Sequence, residues 1–471
     1  MTRRLAALAA ALLLGACTVG PDYKLPEAAT FNAPAAQGTF LASGDPALSD
    51  ETLPAQWWRL YDDARLDRLI EQAFAANTDL RIAEANLERS QALLREAKTL
   101  REPSVAIGGG VAYSQPAGEQ YLLPVTPPAN SVYEVSGSVG YDLDLFGGIR
   151  RGIEAASADS EAVAAARDLV RVNVAAQTAL AYVNACGAGL ELTALRRSLA
   201  IQEDSLRLTT TLYRGGRATD LDVTRSRQFV DQIAGAIPAL EAARRNALYR
   251  LAALTGRPPA QFDRDLDACS APPRIAQPLP AGDGAQLLKR RPDVRAAERQ
   301  LAAATAQIGV ATAQLYPDIR LGTSAGSIGI TPDAFTSPTN FWDFGIFINW
   351  QANQSAARAK IDAANAGAKG ALARFDGVVL GALRDAESAL NTYAHDLKRE
   401  ALARAARDEA ARAARDARRL EVAGRASELV VIDAQRTLAA AEQALAQVQA
   451  AISIDQVNVF LALGGGWERE P

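Results

Sequence analysis

Hydrophobic and polar positions along this chain follow two different periods, and the whole pattern occurs twice. Four short stretches alternate apolar side chains with small or polar ones, and this period of two predicts β-strands. The predicted strands cover residues 103–115, 131–145, 318–330 and 340–350. Each half opens with a helix of moderate length, about 62–101 and 284–315, which a proline ends. After the strands comes a very long Ala-rich helix, about 148–214 and 353–422, and then a shorter return helix, about 219–255 and 427–462.

The two halves also have identical residues at corresponding positions, which indicates an internal duplication. The octets GRATDLDV, from Gly216, and GRASELVV, from Gly424, occupy the same place in each half. NTDLRIAEANL, from Asn77, similarly matches RPDVRAAERQL, from Arg291. Glycine is expected to end each long helix, and the Thr or Ser three residues later to cap the return helix. The octets therefore predict hairpin tips at 215–218 and 423–426.

The long helices exclude a compact globular domain. At a rise of 1.5 Å per residue, each would span roughly 100 Å. Small alanine side chains let such helices pack at short interaxial distances. The pattern predicts a mainly α protein in which two long helical hairpins accompany a small set of strands.

The first residues read as a leader rather than as part of the fold. Arg3 and Arg4 precede an apolar run that ends in LLGAC, which is typical of a signal peptide over 1–16. Cys17 after a small residue predicts a bacterial lipoprotein, with covalent lipid on Cys17 anchoring the chain to a membrane. An ordinary secretory peptide with an incidental cysteine is the alternative. The remaining divisions are a lead at 17–56, a first repeat at 57–256, a linker at 257–283, a second repeat at 284–463 and a tail at 464–471.

Charge and hydropathy narrow the functional classes. The chain of 471 residues carries a net charge of −4, which becomes −6 when Arg3 and Arg4 leave with the leader. Without a basic excess, nucleic acid is not expected as a partner. After Cys17 no stretch of 18 apolar residues occurs, so no membrane-spanning helix is predicted.

The strands instead suit a membrane barrel. One face is apolar with Tyr and Trp near the ends, and the other is small or polar, as in outer-membrane barrels. A soluble sheet with one face on a core is the alternative. Four strands cannot close in lipid, because open edges leave backbone groups without partners. Two chains would form an eight-stranded barrel filled by its own side chains, and three would form a twelve-stranded barrel with room for a pore. A barrel shared by four chains is also compatible with this pattern.

Chemistry-bearing residues are few, and no enzyme is predicted. His395 is the one histidine and lies on a charged helix. Asp142 and Asp144 could be mistaken for a metal pair, but a polar row facing a barrel lumen explains them. No catalytic group, metal or cofactor other than the lipid is expected. Cys186 and Cys269 should lie at compatible heights along the first hairpin, from the helix rise, which predicts a disulfide between them.

The chain resembles the TolC/NodT-like outer-membrane factors over nearly its whole mature length. The resemblance rests on five segments, CTVGPDYKLP, WWRLYDDARLDRLI, NTDLRIAEANLERSQALLREA, YDLDLFGGIRRGIEAASAD and RRPDVRAAERQLAAATAQIGVATAQLYP. It implies a homotrimer in which four strands per chain complete a shared 12-stranded outer-membrane barrel. That barrel would continue into a periplasmic helical barrel, with an equatorial region built from linkers and termini.

The resemblance also implies a function. Such proteins are exit ducts of tripartite RND-type efflux pumps, linked to multidrug resistance, and meet a periplasmic adaptor and an inner-membrane transporter. A non-conducting coiled-coil lipoprotein scaffold and the duct of a type I secretion system are the alternatives. The protein is expected in the outer membrane, lipid-anchored and extending into the periplasm.

Family members close their tunnel near the hairpin glycines. An acidic residue nine positions after the second glycine corresponds to Asp433 here, while Glu421 replaces an aromatic and Val430 replaces a second aspartate. Asp222 is the acidic candidate on the first hairpin. A solvated helix position is the alternative for Asp433. Partner contacts are expected at the tip residues, which are Gly215, Gly216, Arg217, Gly424 and Arg425.

Overall fold

The computed structural model describes residues 18–115, 117–122 and 124–467. The chain divides into two compact units, each assembled from three separate stretches. The first unit comprises residues up to Pro26, Leu87–Val163 and Ala297–Phe375 and contains the four-stranded sheet. The second comprises Glu27–Asn86, Ala164–Ala296 and the chain from Asp376 onward.

In the first unit, four long strands form an antiparallel sheet in sequence order. They are β1 (Ser104–Ser114), β2 (Asn130–Asp142), β3 (Asp318–Ile330) and β4 (Asn340–Asn349). Hairpins join β1 to β2 and β3 to β4, whereas the pairing of β2 with β3 joins the two halves of the sequence. Within the described residues, the outer edges of β1 and β4 have no partner strand.

The register gives the sheet one apolar face. Val105 lies opposite Val139, which lies opposite Thr323, and Thr323 lies opposite Phe344. Because side chains alternate between faces, the residues two positions away share this face. Most of its large members are exposed, Ile107 by 84% and Trp342 by 80%, whereas Tyr133 is buried. The opposite face is built mainly from glycine, serine and other small or polar residues. Its apolar exceptions are Val132 of β2, Ile328 and Ile330 of β3, and Phe341 and Phe347 of β4.

Eight helices of seven or more residues occur in the described chain. The first half contains α1 (Ala64–Ala76), α2 (Thr78–Thr99), α3 (Gly148–Arg214) and α4 (Asp220–Leu254). The second half contains α5 (Gly284–Arg290), α6 (Pro292–Ala313), α7 (Ser355–Val422) and α8 (Glu428–Ala462). The two long helices hold 67 and 68 residues. Among the described residues, no helix is both long and apolar enough to cross a bilayer.

The first helix of each half is broken, which the sequence analysis did not predict. Asn77 adopts an extended backbone, and its Oδ1 atom accepts hydrogen bonds from the N–H groups of Asp79 and Leu80, so that α2 begins anew. Arg291 is extended because Pro292 follows it, and this residue separates α5 from α6. The single helices predicted over 62–101 and 284–315 are therefore wrong at these points.

The second predicted strand also ends earlier than expected. β2 stops at Asp142, so Asp144 is not in the sheet. Its two carboxylate oxygens accept hydrogen bonds from the N–H groups of Ile149 and Arg150, at 3.0 Å and 2.8 Å. The placement of Asp144 on one strand face with Asp142 is therefore wrong, because its carboxylate caps the start of α3. Asp142 lies 3.8 Å from Arg320.

The second unit has an aromatic core where the lead and the ends of α4 and α8 meet. Trp57 is fully buried, and its ring stacks on Phe460 with centroids 4.8 Å apart. Gln456 is also fully buried and bonds both backbone groups of Ile275 in the linker. The linker is thereby held to α8 by a side chain that no solvent reaches.

An ion-pair cluster and a disulfide further fix the linker within this unit. Arg274 lies 2.7 Å from Glu400 of α7, which also accepts from Arg404 and Gln449. The Arg274 guanidinium holds the pKa of Glu400 down to about 2. Cys269 is bonded to Cys186 of α3 across 83 residues of sequence. Gly189 lies so close to the Cys269 carbonyl that a Cβ would clash with it.

A carboxyl pair joins α7 and α8 in the same unit, formed by half-buried Asp396, which lies 3.6 Å from Arg399, and buried Asp455. Burial and then the neighbouring Asp396 carboxylate raise the pKa of Asp455 to about 6. The Oδ2 atom of Asp455 receives no hydrogen bond from a donor in the described chain. The two carboxyls can therefore bond only when they share a proton.

Asp455→Asn is expected to stabilise the protein at alkaline pH. Because the native pKa lies above the ordinary 3.8, the native state takes up a proton below about pH 6, and ionisation above that pH costs up to about 3 kcal/mol. The variant should gain that amount at pH 8 and nothing near pH 3.5, where both states are protonated. Thermal unfolding of both proteins at the two pH values measures this. An equal gain at both pH values would contradict it.

Candidate functional site

The first hairpin tip is closed by backbone hydrogen bonds. Gly216 has a φ of +71°, and the N–H groups of Gly216 and Arg217 bond the carbonyls of Tyr213 and Leu212. This pattern ends α3 with a glycine in the left-handed conformation. Thr219 then caps α4 in a reciprocal box with Asp222. The tip is thus rigid in its backbone, while the Arg217 side chain is exposed.

The second tip repeats this geometry with one difference. Gly424 has a φ of +69°, and the Arg425 N–H bonds the Leu420 carbonyl at 2.8 Å. Ser427 precedes α8 but its side chain makes no cap hydrogen bond. Arg425 is exposed, as Arg217 is on the first tip. Both predicted partner-binding tips therefore present an exposed arginine directly after a glycine in the left-handed conformation.

The three acidic gate candidates occupy different environments. Asp222 accepts from the N–H and hydroxyl groups of Thr219 at 2.9 Å and 2.6 Å, and these bonds lower its pKa. Glu421 is half-buried and paired with Arg418 at 2.9 Å. Asp433 is exposed, and its carboxylate accepts no hydrogen bond from the described residues. No contact brings the three carboxylates together within this chain.

A polar seam between the two hairpins was missed by the sequence analysis. Along α3, Ser198, Gln202, Ser205 and Thr209 are buried polar residues on one helix face. Along α8 they face Glu428, Gln435 and Glu442, which recur every seven residues. The Gln202 amide lies 3.4 Å from Gln435, and the Ser198 hydroxyl 3.5 Å from Glu442. The heptad spacing was visible in the sequence, but the identity of the facing helix was not.

Glu428 sits at the end of this seam nearest the tips. Burial, and after it the Glu421 carboxylate, raises the pKa of Glu428. The Ser205 and Thr209 hydroxyls lower it in part, yet both carboxylate oxygens lack a hydrogen bond of normal geometry. Thr209 instead donates its hydroxyl proton to the Ser205 carbonyl at 3.0 Å. The contact between the hairpins thus contains a carboxylate whose ionised form is poorly supported.

In the first unit, the segment after Cys17 is strapped to the start of α3. Cys17 itself lies outside the described residues. The Arg151 side chain is 4% exposed and bonds the carbonyls of Val19 and Gly20 and the carboxylate of Asp22. Thr18 packs against Gly147, and the Val19 N–H bonds the Phe146 carbonyl. The segment therefore lies at the junction between β2 and α3.

Metal and acid–base chemistry find little support in the described residues. They contain no group of three or more potential ligands that could hold a metal ion. His395 is exposed, and its ring nitrogen lies 2.9 Å from the Asn391 carbonyl one helical turn away. The His395 ring is thus hydrogen-bonded to the backbone of its own helix.

An exposed apolar sheet combined with paired long hairpins is the architecture of an outer-membrane channel of the TolC type. The solved outer-membrane channel OprN superimposes with a TM-score of 0.89 at 32% identity, over 96% of this chain and 100% of that one. The chain belongs to the outer membrane efflux protein family, which matches residues 69–257 and 284–465.

Two relatives agree with this assignment over nearly their full lengths. Nodulation protein T of Rhizobium leguminosarum bv. trifolii is 28% identical, covering 97% of this chain and 96% of the relative. The probable efflux pump outer membrane protein TtgC of Pseudomonas putida is 30% identical, covering 99% and 96%. The two family matches within the chain correspond to its two halves, one containing each hairpin tip.

Proposed function

We propose that the protein is the outer-membrane exit duct of a tripartite efflux pump, through which small molecules pass passively from the periplasm to the outside. The observation that carries the proposal is the sheet with an apolar exposed face and two unpaired edges. Membership of the family and likeness to a protein named as an efflux pump component support it. The duct has no catalytic role and needs no cofactor besides the lipid.

The sheet edges require neighbours of the same chain. An edge strand in lipid leaves N–H and C=O groups without partners at several kcal/mol each. β1 of one copy can pair with β4 of the next, and three copies give twelve strands around a pore. The working form is therefore a homotrimer, with the long helices of its three chains forming the periplasmic barrel.

The segment from Thr18 to Asp22, which we call the strap, supports an N-terminal lipid anchor at the same level as the membrane boundary. Phe146 and Tyr316 stack 4.4 Å apart, and the Trp350 ring N–H bonds the Leu315 carbonyl. Aromatic side chains of this kind mark the interface of membrane barrels. A lipid on Cys17, one residue before Thr18, would enter the outer membrane beside them.

The hairpin tips provide the docking site for the pump. Arg217 and Arg425 are exposed, and apolar side chains near them are also exposed, Leu221 by 55% and Leu429 by 47%. Such a mixed surface on a rigid turn suits a helical partner protein. A periplasmic adaptor would bind there and connect the duct to an inner-membrane transporter.

Asp433→Ala is expected to raise single-channel conductance on the order of twofold and to weaken block by divalent cations. Three Asp433 carboxylates around the trimer axis would attract cations into the narrow end of the duct. Planar bilayer recording with and without Mg²⁺ measures both effects. The matched control is Glu203→Ala, which removes an exposed acid of α3 beside the seam. Equal changes in the two variants would remove the assigned role of Asp433.

Conductance also separates the duct from its alternatives. A purified trimer that conducts ions in a planar bilayer supports the proposal, whereas a monomer without conductance supports the lipoprotein scaffold. Crosslinking from Arg217 or Arg425 in cells identifies the partner at the tips. Capture of a pump adaptor supports efflux, and capture of a type I secretion component supports an export duct for proteins.

A further inference from the structure

A cavity of about 640 Å³ lies in the second unit, away from the sheet and the hairpin tips. Three segments surround it, namely α1, the end of α4 and the first part of the linker. Four of its lining residues are arginines, Arg65 and Arg68 on α1 and Arg257 and Arg264 on the linker. Arg65 and Arg68 are three residues apart, so both side chains lie on one face of α1.

These arginines are not neutralised by the chain. None of the four forms an ion pair within the described residues, whereas Arg274 and Arg291, elsewhere in this unit, are each paired with a carboxylate. Asp263 and Asp265 also line the cavity, which leaves two positive charges in excess. Asp263 is partly occupied, since its Oδ1 atom accepts from the Asp265 N–H at 3.0 Å.

The segment that carries two of the arginines is held at both ends. Gly256, with a φ of +72°, turns the chain out of α4, and the Arg257 N–H bonds the Ala252 carbonyl at 2.8 Å. At the other end Cys269 is bonded to Cys186. Leu266, which lies between Gly256 and Cys269 in the sequence, is buried. The linker backbone is therefore fixed before binding, whereas the four arginine side chains are exposed and lose side-chain entropy when a ligand arrives.

We propose that this cavity binds a small organic anion that carries two or more phosphate or carboxylate groups. Guanidinium groups match both kinds of oxyanion with paired hydrogen bonds. Leu69, Leu248 and Leu251 line the cavity as well and provide apolar contact for a carbon skeleton. Its volume lies in the range usual for small-molecule sites. The ligand would join α1 to the disulfide-bonded linker.

Titration calorimetry on the full-length protein in detergent tests the proposal. Tripolyphosphate and citrate serve as phosphate and carboxylate probes at constant ionic strength, with sucrose as the neutral comparison. We expect saturable binding of at least one anion at one site per chain, and the stronger of the two identifies the preferred group. Arg65→Gln and Arg264→Gln should each weaken that binding about tenfold or more.

The control is Arg81→Gln, which removes an exposed arginine of α2 that does not line the cavity. Arg65→Lys is a second variant, since it retains the charge but not the paired hydrogen bonds, and should bind with intermediate affinity. Thermal unfolding without the anion verifies that every variant is folded. The proposal is overturned if neither anion shows saturable binding up to about 10 mM, a concentration well above the dissociation constants expected of a specific site. It is also overturned if Arg81→Gln weakens anion binding as much as Arg65→Gln and Arg264→Gln do.

Discussion

Val135→Arg is expected to abolish assembly in the outer membrane. Val135 lies near the centre of β2 on the apolar face, opposite Gly109 and Ser327, and is 41% exposed. An arginine facing lipid at mid-membrane costs about 2–4 kcal/mol per copy, and the proposed trimer contains three copies. The expected result is that the proposed trimer, measured as a heat-resistant band by electrophoresis without boiling, is lost from outer-membrane fractions.

The control is the next residue along the same strand. Ser136 faces the opposite side of the sheet, paired with Gly108 and Gly326, and the open space beside Gly108 leaves room for a longer side chain. Ser136→Arg should therefore assemble and instead alter the ion selectivity of the channel. If both variants assembled equally well, the apolar face would not be facing lipid.

Loss of the disulfide is expected to destabilise the second unit by about 4 kcal/mol. The bond between Cys186 and Cys269 closes a segment of 83 residues, and cross-links across long segments remove much of the entropy of the unfolded chain. Reduction of the protein, or the Cys186→Ala, Cys269→Ala double variant, should lower the unfolding midpoint in denaturant by the corresponding amount.

The double variant also provides the control for this experiment. Reductant should lower the midpoint of the unaltered protein and leave that of the double variant unchanged. Thiol titration of the denatured, unreduced protein should find no free group on Cys186 or Cys269. Two reactive thiols before reduction would contradict the bond.

Most of the architecture could be predicted from the sequence, because the internal duplication repeats the pattern of each element. Alternation placed β3 at 318–330, and glycine with the following Thr or Ser placed both tips, since these signals are local. The break at Asn77 was missed because an asparagine inside a helical pattern is ambiguous until its side chain is seen to cap α2. Asp144 was misplaced for the same reason, since a capping carboxylate and a strand carboxylate look alike in sequence.

The site was less predictable than the fold. The cysteine pair followed from helix length, and the structure brings Cys186 and Cys269 together. The seam around Glu428 depends on which helix lies beside α3, and that choice is made by tertiary packing rather than by local pattern. The arginine-lined cavity could not be predicted from the sequence either. Arg65 and Arg264 lie about 200 residues apart and come together only in the folded chain.

The strap at the N-terminus bears on the order in which the molecule is completed. Tyr23 donates a hydrogen bond to Glu298 at 2.6 Å, and Gly20 packs so closely on Gly309 that a side chain would clash. These partners are synthesised some 275 residues later, so the N-terminal segment cannot make these contacts until about two thirds of the chain has been synthesised. The lipid proposed on Cys17 would keep that end at the bilayer surface throughout this interval, and would thus act during biogenesis as well as in the finished channel.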